Sequence, residues 1–257
     1  APAWYVVGEH NFHNGNYDQA VTSFNCVTYI SPNNASGWFR LFESLLLKGD
    51  VNNAVTACLN AISLEPSIKH FSSYFRFPAE VKTDQVQKKI LRLLLEALVR
   101  EAKSAEYYLL LSRYYVDILE FEKASNAYLM ATACEPDNIQ MLREYGRFLY
   151  EIGKGEKSAT VLTELTEREP HEAGNWLVLG ACYARVGNWQ RAIEANLRVV
   201  ALEPDQVAAR LNLSMGYLSM GLYEEAADYL KVFVEGRHPD FPPDSIQHLG
   251  VVAKYQY

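Results

Sequence analysis

No stretch of the 257-residue sequence offers the roughly 18 uninterrupted apolar residues that a bilayer-crossing helix needs, and the richest, Ile90 to Val99, is broken by Arg92 and Glu96. Membrane insertion is therefore not expected. Basic charge is also short. Lys and Arg number 24 against 31 Asp and Glu, giving a net charge of -7, whereas binders of nucleic acid or anionic lipid need clustered cations to displace counterions. Nucleic acid is accordingly not an expected partner. Cysteine is sparse as well: Cys26, Cys58, Cys134 and Cys182 form no close pairs and lack the short spacings of zinc ligands. Each falls in an apolar, helix-like run and reads as a packed free thiol, which points to the cytoplasm or another reducing compartment. Neither a metal nor a cofactor is implied. The first residue is Ala1 and no basic-then-apolar leader follows, so the chain reads as a fragment or a processed product.

Enzyme signatures are missing too. There is no G-x-S-x-G, no G-x-G-x-x-G and no H-E-x-x-H. Gly153 to Ser158 has the composition of a phosphate loop, but it lacks the glycine spacing and follows a helix instead of a strand, so it reads as a hairpin turn. Glu9, His10 and His13 could bring two imidazoles to one helix face, yet no third ligand accompanies them. No catalytic residue is assigned. Asn34 and Asn212 each open an N-x-[ST] triplet, the second inside an expected helix, where the match reads as chance.

What the sequence does contain is a period. Pro32, Pro66, Pro136, Pro170 and Pro204 are separated by 34, 70, 34 and 34 residues, and all but the first follow a helix-like run ending in Glu. Between them the same positions recur. Trp4, Val7, Gly8, Ala20 and Phe24 are matched by Trp38, Leu41, Ala54 and Ala61, with Asn11, Phe42 and Cys58 as departures. The pattern returns at Tyr108, Leu111, Ser112, Tyr115, Ala124, Tyr128 and Ala131, then at Leu142, Tyr145, Gly146, Leu149 and Leu162, with Ser158 in place of alanine. Its clearest copy is Trp176, Leu179, Gly180, Tyr183 and Ala192, and its last is Leu213, Ser214, Tyr217, Ala226, Leu230 and Phe233. The small residues permit two helices to approach closely, Gly15, Gly49, Gly153, Gly187 and Gly221 mark the turns between them, and each proline closes one unit because it lacks the N–H of a continuing helix.

Laid against W-x2-L-G-x2-Y, A-x3-F and a closing P, this chain resembles the tetratricopeptide repeat family over about four-fifths of its length. The expected fold is all-α, a right-handed superhelical solenoid of antiparallel helix pairs. Two repeats are expected over 1–68 and four over 105–240. Residues 69–104 form a degenerate repeat or helical insertion, and 241–257 form a capping helix or the start of a further repeat. Inside 69–104, Leu91, Leu94, Leu95 and Leu98 line one stripe of an amphipathic helix over roughly 84–103, opposite Lys89, Arg92, Glu96, Arg100 and Lys103. Phe71, Tyr74, Phe75 and Phe77 precede it in a short aromatic helix or ordered loop. At the other end Trp4, Tyr5, Val6 and Val7 read as poorly covered unless further repeats precede them.

The resemblance implies a protein-binding scaffold whose concave groove, lined by the first helix of each pair, takes a peptide or partner helix, within a larger protein or assembly. At the family's groove positions stand Tyr5, Phe12, Phe39, Arg113, Arg143, Arg147, Tyr150, Leu177, Arg185, Leu211 and Met215. The four arginines are expected to converge on an acidic ligand, since guanidinium forks suit carboxylates. The competing expectation is internal neutralisation, Arg113 by Asp117 and Arg147 by Glu151, each four residues on. Tyr5 and Glu9 replace the Lys and Asn of chaperone-tail clamps, and Asn212 stands almost alone where a sugar-transferring relative carries an asparagine ladder. The alternatives are a structural subunit assembling through its convex face and the insertion, and the non-catalytic arm of a multidomain enzyme.

Overall fold

A computed structural model describes residues 1–234, which form fourteen α-helices and no strand. The expected last helix within 241–257, with Phe233, Pro239, His238 and His248, lies outside the residues whose side chains are described. The chain divides into two compact units, 1–136 and 137–257.

The first unit holds α1 (Pro2–His13), α2 (Tyr17–Ile30), α3 (Ala35–Lys48), α4 (Val51–Leu64), α5 (Ile68–Tyr74), a 3-10 turn (Ala79–Val81), α6 (Asp84–Arg100), α7 (Ala105–Asp117) and α8 (Phe121–Cys134). Helices α1 and α2, α3 and α4, and α7 and α8 pair as antiparallel hairpins, and α2 packs on α3. The irregular segment is not excluded from this stack. Helix α5 packs on α4 and α7, α6 packs on α7, and Phe71, Tyr74, Ile90, Leu94 and Leu98 are buried in the same core as Phe24, Phe42, Ile62 and Tyr114. Lys82, just after the 3-10 turn, pins this segment to α7. Its side chain is 9% exposed, its Nζ lies 2.6 Å from Asp117 Oδ2, and it sits over the rings of Tyr74 and Phe75.

The second unit holds α9 (Ile139–Glu151), α10 (Gly155–Arg168), α11 (Ala173–Arg185), α12 (Trp189–Leu202), α13 (Val207–Ser219) and α14 (Tyr223–Val234). Each odd helix pairs with the even one after it. The first helices α9, α11 and α13 also pack on one another in sequence, so they form the inner layer of this unit. A cleft of about 720 Å³ opens between the second helices α10 and α12, floored by α11.

Local chemistry explains the hairpins. Helix starts are capped by side chains: Asn34 accepts from Gly37 N, Asp50 from Asn53 N, Asn138 from Met141 N and Asn188 from Arg191 N. The five turn glycines at 15, 49, 153, 187 and 221 all take left-handed backbone, φ between 75° and 88°. In the α7–α8 turn the same conformation falls on Leu119, φ 61°, where a side chain meets the carbonyl it normally avoids. Close helix approach needs the other glycines. A Cβ on Gly146 would lie 2.9 Å from Leu162, and one on Gly180 would lie 2.3 Å from the Asn196 amide. The proline carbonyls contribute a feature that the repeat pattern does not state. Trp38 Nε1 donates to Pro32 O at 2.7 Å, Trp176 Nε1 to Pro170 O at 2.9 Å and Arg210 Nε to Pro204 O at 2.9 Å, so the carbonyl closing one repeat is held by the fourth position of the next. Where the irregular segment breaks the period, Tyr107 OH donates to Pro66 O at 2.7 Å instead.

Candidate functional site

The groove positions divide between the two units: Tyr5, Phe12, Phe39 and Arg113 belong to the first, and the other seven to the second. In the first unit the inner-face chemistry is already spent on itself. Phe39 is only 5% exposed, with Lys69 Nζ 4.4 Å above its ring, so it is a core residue more than a groove wall. Arg40, absent from the expected groove set, sits over the Phe12 ring at 5.2 Å and spans two carboxylates. Its Nη1 donates to Glu43 Oε2 at 2.8 Å and its Nη2 to Glu9 Oε2 at 2.8 Å. Arg40 Nε also lies 2.7 Å from Glu9 Oε1, so the buried Glu9 carboxylate is ion-paired to the guanidinium through both its oxygens. Burial opposes the Arg40 charge, yet Glu43, Glu9 and Tyr5 outweigh it and leave the guanidinium pKa above its ordinary value. One side chain could have signalled this in the sequence: an arginine beside Phe39, three residues before Glu43.

Asp117 does not neutralise Arg113 as one expectation had it, because Asp117 is the partner of Lys82, from the irregular segment. Local spacing cannot reveal a lysine 35 residues away.

In the second unit the three arginines have three different surroundings. Arg143 is committed: its Nη2 bonds Glu169 Oε2, its Nε donates to Asn175 Oδ1 at 3.2 Å and its Nη1 to Gln140 Oε1 at 3.0 Å. Asn175 is itself buried and donates to Glu169, so Arg143 ties α9 to the start of α11. Arg185 lies 4.9 Å over the Tyr150 ring and donates through Nη1 to the Tyr150 carbonyl, which also accepts from Gly153 N at the end of α9. Among the described residues it makes no ion pair with a carboxylate. Arg147 is exposed and, among the described residues, makes no ion pair, with Glu151 or any other group. The inner face of this unit thus offers Arg147 and Arg185 around Tyr150. Beyond them lie half-buried Leu177, Leu211 and Leu218, small Ala181 and Ala184, and exposed Met215.

Among the described residues no cluster of three His, Cys, Asp or Glu could hold a metal, and no helix is long and apolar enough to cross a membrane. Burial pushes the Cys58 thiol up to about 12 and raises Cys182, which opposes formation of a reactive thiolate. Cys26 and Cys134 are half-buried, and all four are free.

Family models described as tetratricopeptide repeat match residues 4–212 and 183–242. The chain belongs to the tetratricopeptide repeat family. Solved structures of family members agree with the fold. A MamA structure (AMB-1) superposes with a TM-score of 0.54 at 18% identity, covering 70% of this chain and 92% of that one. MamA from Desulfovibrio magneticus RS-1 gives 0.53 at 18%, covering 68% and 100%. YrrB, described as a TPR protein with an unusual peptide-binding site, gives 0.50 at 16%, covering 72% and 95%. Among curated proteins, the peroxisomal targeting signal receptor of Kluyveromyces lactis is 38% identical over 64 residues, 25% of this chain and 11% of the receptor. That of Candida albicans is 26% identical over 113 residues, 42% and 19%. The chain therefore spans a small part of the length of these relatives. Fold and family make this tetratricopeptide chain a protein-interaction scaffold.

Proposed function

We propose that the inner face of the second unit binds an acidic peptide segment of a partner protein, with Arg147 and Arg185 receiving its carboxylates and Leu177, Leu211 and Met215 its apolar side chains. The carrying observation is that, among the described residues, exposed Arg147 and Arg185 make no ion pair, Arg185 resting on a ring and a carbonyl, whereas Arg143 is tied to Glu169. An arginine without a carboxylate in a chain of net charge -7 is a standing complement to an anionic ligand. The small side chains of Ala181 and Ala184 leave room above α11 for the ligand backbone. Partial likeness to receptors named for a targeting signal fits a ligand recognised as a short segment.

Fluorescence anisotropy with acidic, neutral and basic peptide pools tests this. The acidic pool binds best, binding weakens with salt, and Arg147→Glu together with Arg185→Glu lowers its affinity at least tenfold while helical content is kept. Equal binding by the double variant sinks the reading. A second reading, assembly through the outer surface and the irregular segment, is favoured by Leu95 and Val99, which α6 leaves 44% and 84% exposed. A partner that survives the arginine reversals but is lost on Val99→Glu decides for it.

A further inference from the structure

Helix α11 has two working sides. Leu177, Ala181, Ala184 and Arg185 belong to the inner face, while Trp176, Leu179 and Tyr183 floor the outer cleft between α10 and α12. Both flanking helices pack on α11. The cleft of about 720 Å³ continues into another of about 540 Å³ through their shared residues Thr163, Tyr183 and Arg191. Together they form a groove that follows α12 from Asn188 to Ala201, about 20 Å at the helical rise per residue. Every residue lining it falls between 156 and 201, inside the second unit.

The two walls of this groove carry opposite charge. The charged lining residues of α10 are Glu156 and Glu167, and those of α12 are Arg191, Arg198 and Glu194. Glu194 accepts from Gln190 Nε2 at 3.2 Å, and Arg191 lies 5.6 Å over the Tyr183 ring. Among the described residues Glu156, Glu167, Arg191 and Arg198 make no ion pair, whereas Arg168, outside the groove, is held by Glu164 and Asp137. The walls thus fail to neutralise each other across the apolar floor and complement something that lies between them. The repeat itself does not demand this arrangement. Asn53, Thr56 and Asn60 of α4 stand at the positions of Arg191, Glu194 and Arg198, and in the last hairpin Arg210 replaces Trp176 while Glu225 and Asp228 replace Arg191 and Glu194.

We infer that this outer groove is a second binding site, distinct from the inner face, and that it seats an amphipathic α-helix of a partner protein with carboxylates on its α12 flank and cations on its α10 flank. Helices α10 and α12 stand on either side of α11, so a fourth helix laid between them completes a bundle of the ordinary kind. Trp176 and Tyr183 supply the apolar contact, and burial of such aromatic side chains is the usual source of interface energy. A floor and two unlike walls require three chemistries around one segment. A strand has only two faces, whereas a helix can present an apolar stripe with a different charge on each side. Arg191 and Arg198 are seven residues apart and Glu156 and Glu167 eleven, each close to a whole number of turns, so the partner's carboxylates recur at seven residues and its cations at eleven.

The probe is a synthetic helical peptide with Leu and Ala on one stripe, two Glu seven residues apart on one flank and two Lys eleven apart on the other. Added to the whole chain, it shifts the indole N–H resonance of Trp176, identified by Trp176→Phe, and binds at least tenfold more weakly to the Arg191→Glu/Arg198→Glu variant. Both arginines are exposed, so this variant keeps the wild-type thermal midpoint. Replacing the two Glu of the peptide by Lys recovers binding to it, which a folding defect would not allow. The Arg147→Glu/Arg185→Glu variant binds the original peptide as the wild type does, separating this site from the inner face. A Trp176 resonance that does not move, equal affinity for the Arg191→Glu/Arg198→Glu variant, or equal binding of a peptide broken by a central proline overturns the proposal. Loss of binding on the inner-face reversal overturns it in favour of that face. Sedimentation showing a dimer that Arg191→Glu/Arg198→Glu dissociates, without peptide binding, overturns it in favour of a second copy of the chain.

Discussion

The two units are built from the same repeat and treat their inner-face arginines in opposite ways. In the first, Arg40 is clamped between Glu9 and Glu43 and stacked on Phe12, and Lys82 is committed to Asp117. In the second, one arginine is clamped by Glu169 while Arg147 and Arg185 make no ion pair among the described residues. A guanidinium held by two carboxylates has little left to offer a ligand, and removing it would strand partly buried anions. The difference teaches that a residue type at a groove position does not define a binding site. What defines it is whether the surrounding helices have already satisfied that residue.

The units differ again in how their cores are joined, and that is where the largest effect is expected. Leu94 of α6 is fully buried in the core shared by α2 to α7. Leu94→Ala should cost about 2–5 kcal/mol, and hydrogen exchange should show lost protection in α4 to α7 while α10 to α12 keep theirs. Protection lost only within α6 would mean that the irregular segment is an appendage.

The arginine contrast can be sharpened by two substitutions with separated readouts. Arg143→Gln breaks the half-buried bond to Glu169 and should lower stability by about 1 kcal/mol, as exposed-to-intermediate ion pairs do. Arg147→Gln should leave the thermal midpoint unchanged and weaken only acidic-peptide binding. Reversed results would exchange the structural and binding roles of the two.

Turn chemistry offers a third comparison. Five hairpin turns place glycine in the left-handed region and one places Leu119 there. Leu119→Gly relieves about 1–2 kcal/mol of strain and gives back about 0.5–1 kcal/mol as unfolded-state entropy. A net gain of about 0.5–1 kcal/mol by urea denaturation is the expected result, with Gly187→Leu destabilising the second unit.

The smallest effect is alkaline. Cys58 is deprotonated only near pH 12 in the folded chain, against about 8.5 when unfolded. Because the folded value is raised, its contribution is complete below the unfolded value and is lost as pH climbs between the two. The wild type should therefore lose stability relative to Cys58→Ala across that window. Cys182, also raised by burial but drawn back by the Ser158 hydroxyl and the Arg185 charge, should react with thiol reagents before Cys58 and after Cys26 and Cys134.

Much of the helical order was legible because it is local. Proline spacing, small residues at Gly8, Gly146 and Gly180, and the turn glycines each act within one hairpin, and the stripe on α6 is visible in its own periodicity. Its helix ends at Arg100, three residues short of the expected end, where the chain turns before the Ser104 cap of α7. Leu119 escaped notice because nothing in its own sequence marks it as a left-handed residue, and only the shared hairpin geometry imposes that conformation.

The repeat, its family and the positions that can face a groove follow from the sequence alone, since they rest on helix periodicity and on where glycine and proline are tolerated. Which of those positions are free was decided by tertiary structure. Lys82 meeting Asp117 and Glu169 taking Arg143 are contacts between distant segments, and electrostatic commitment is set by distance in space and not along the chain.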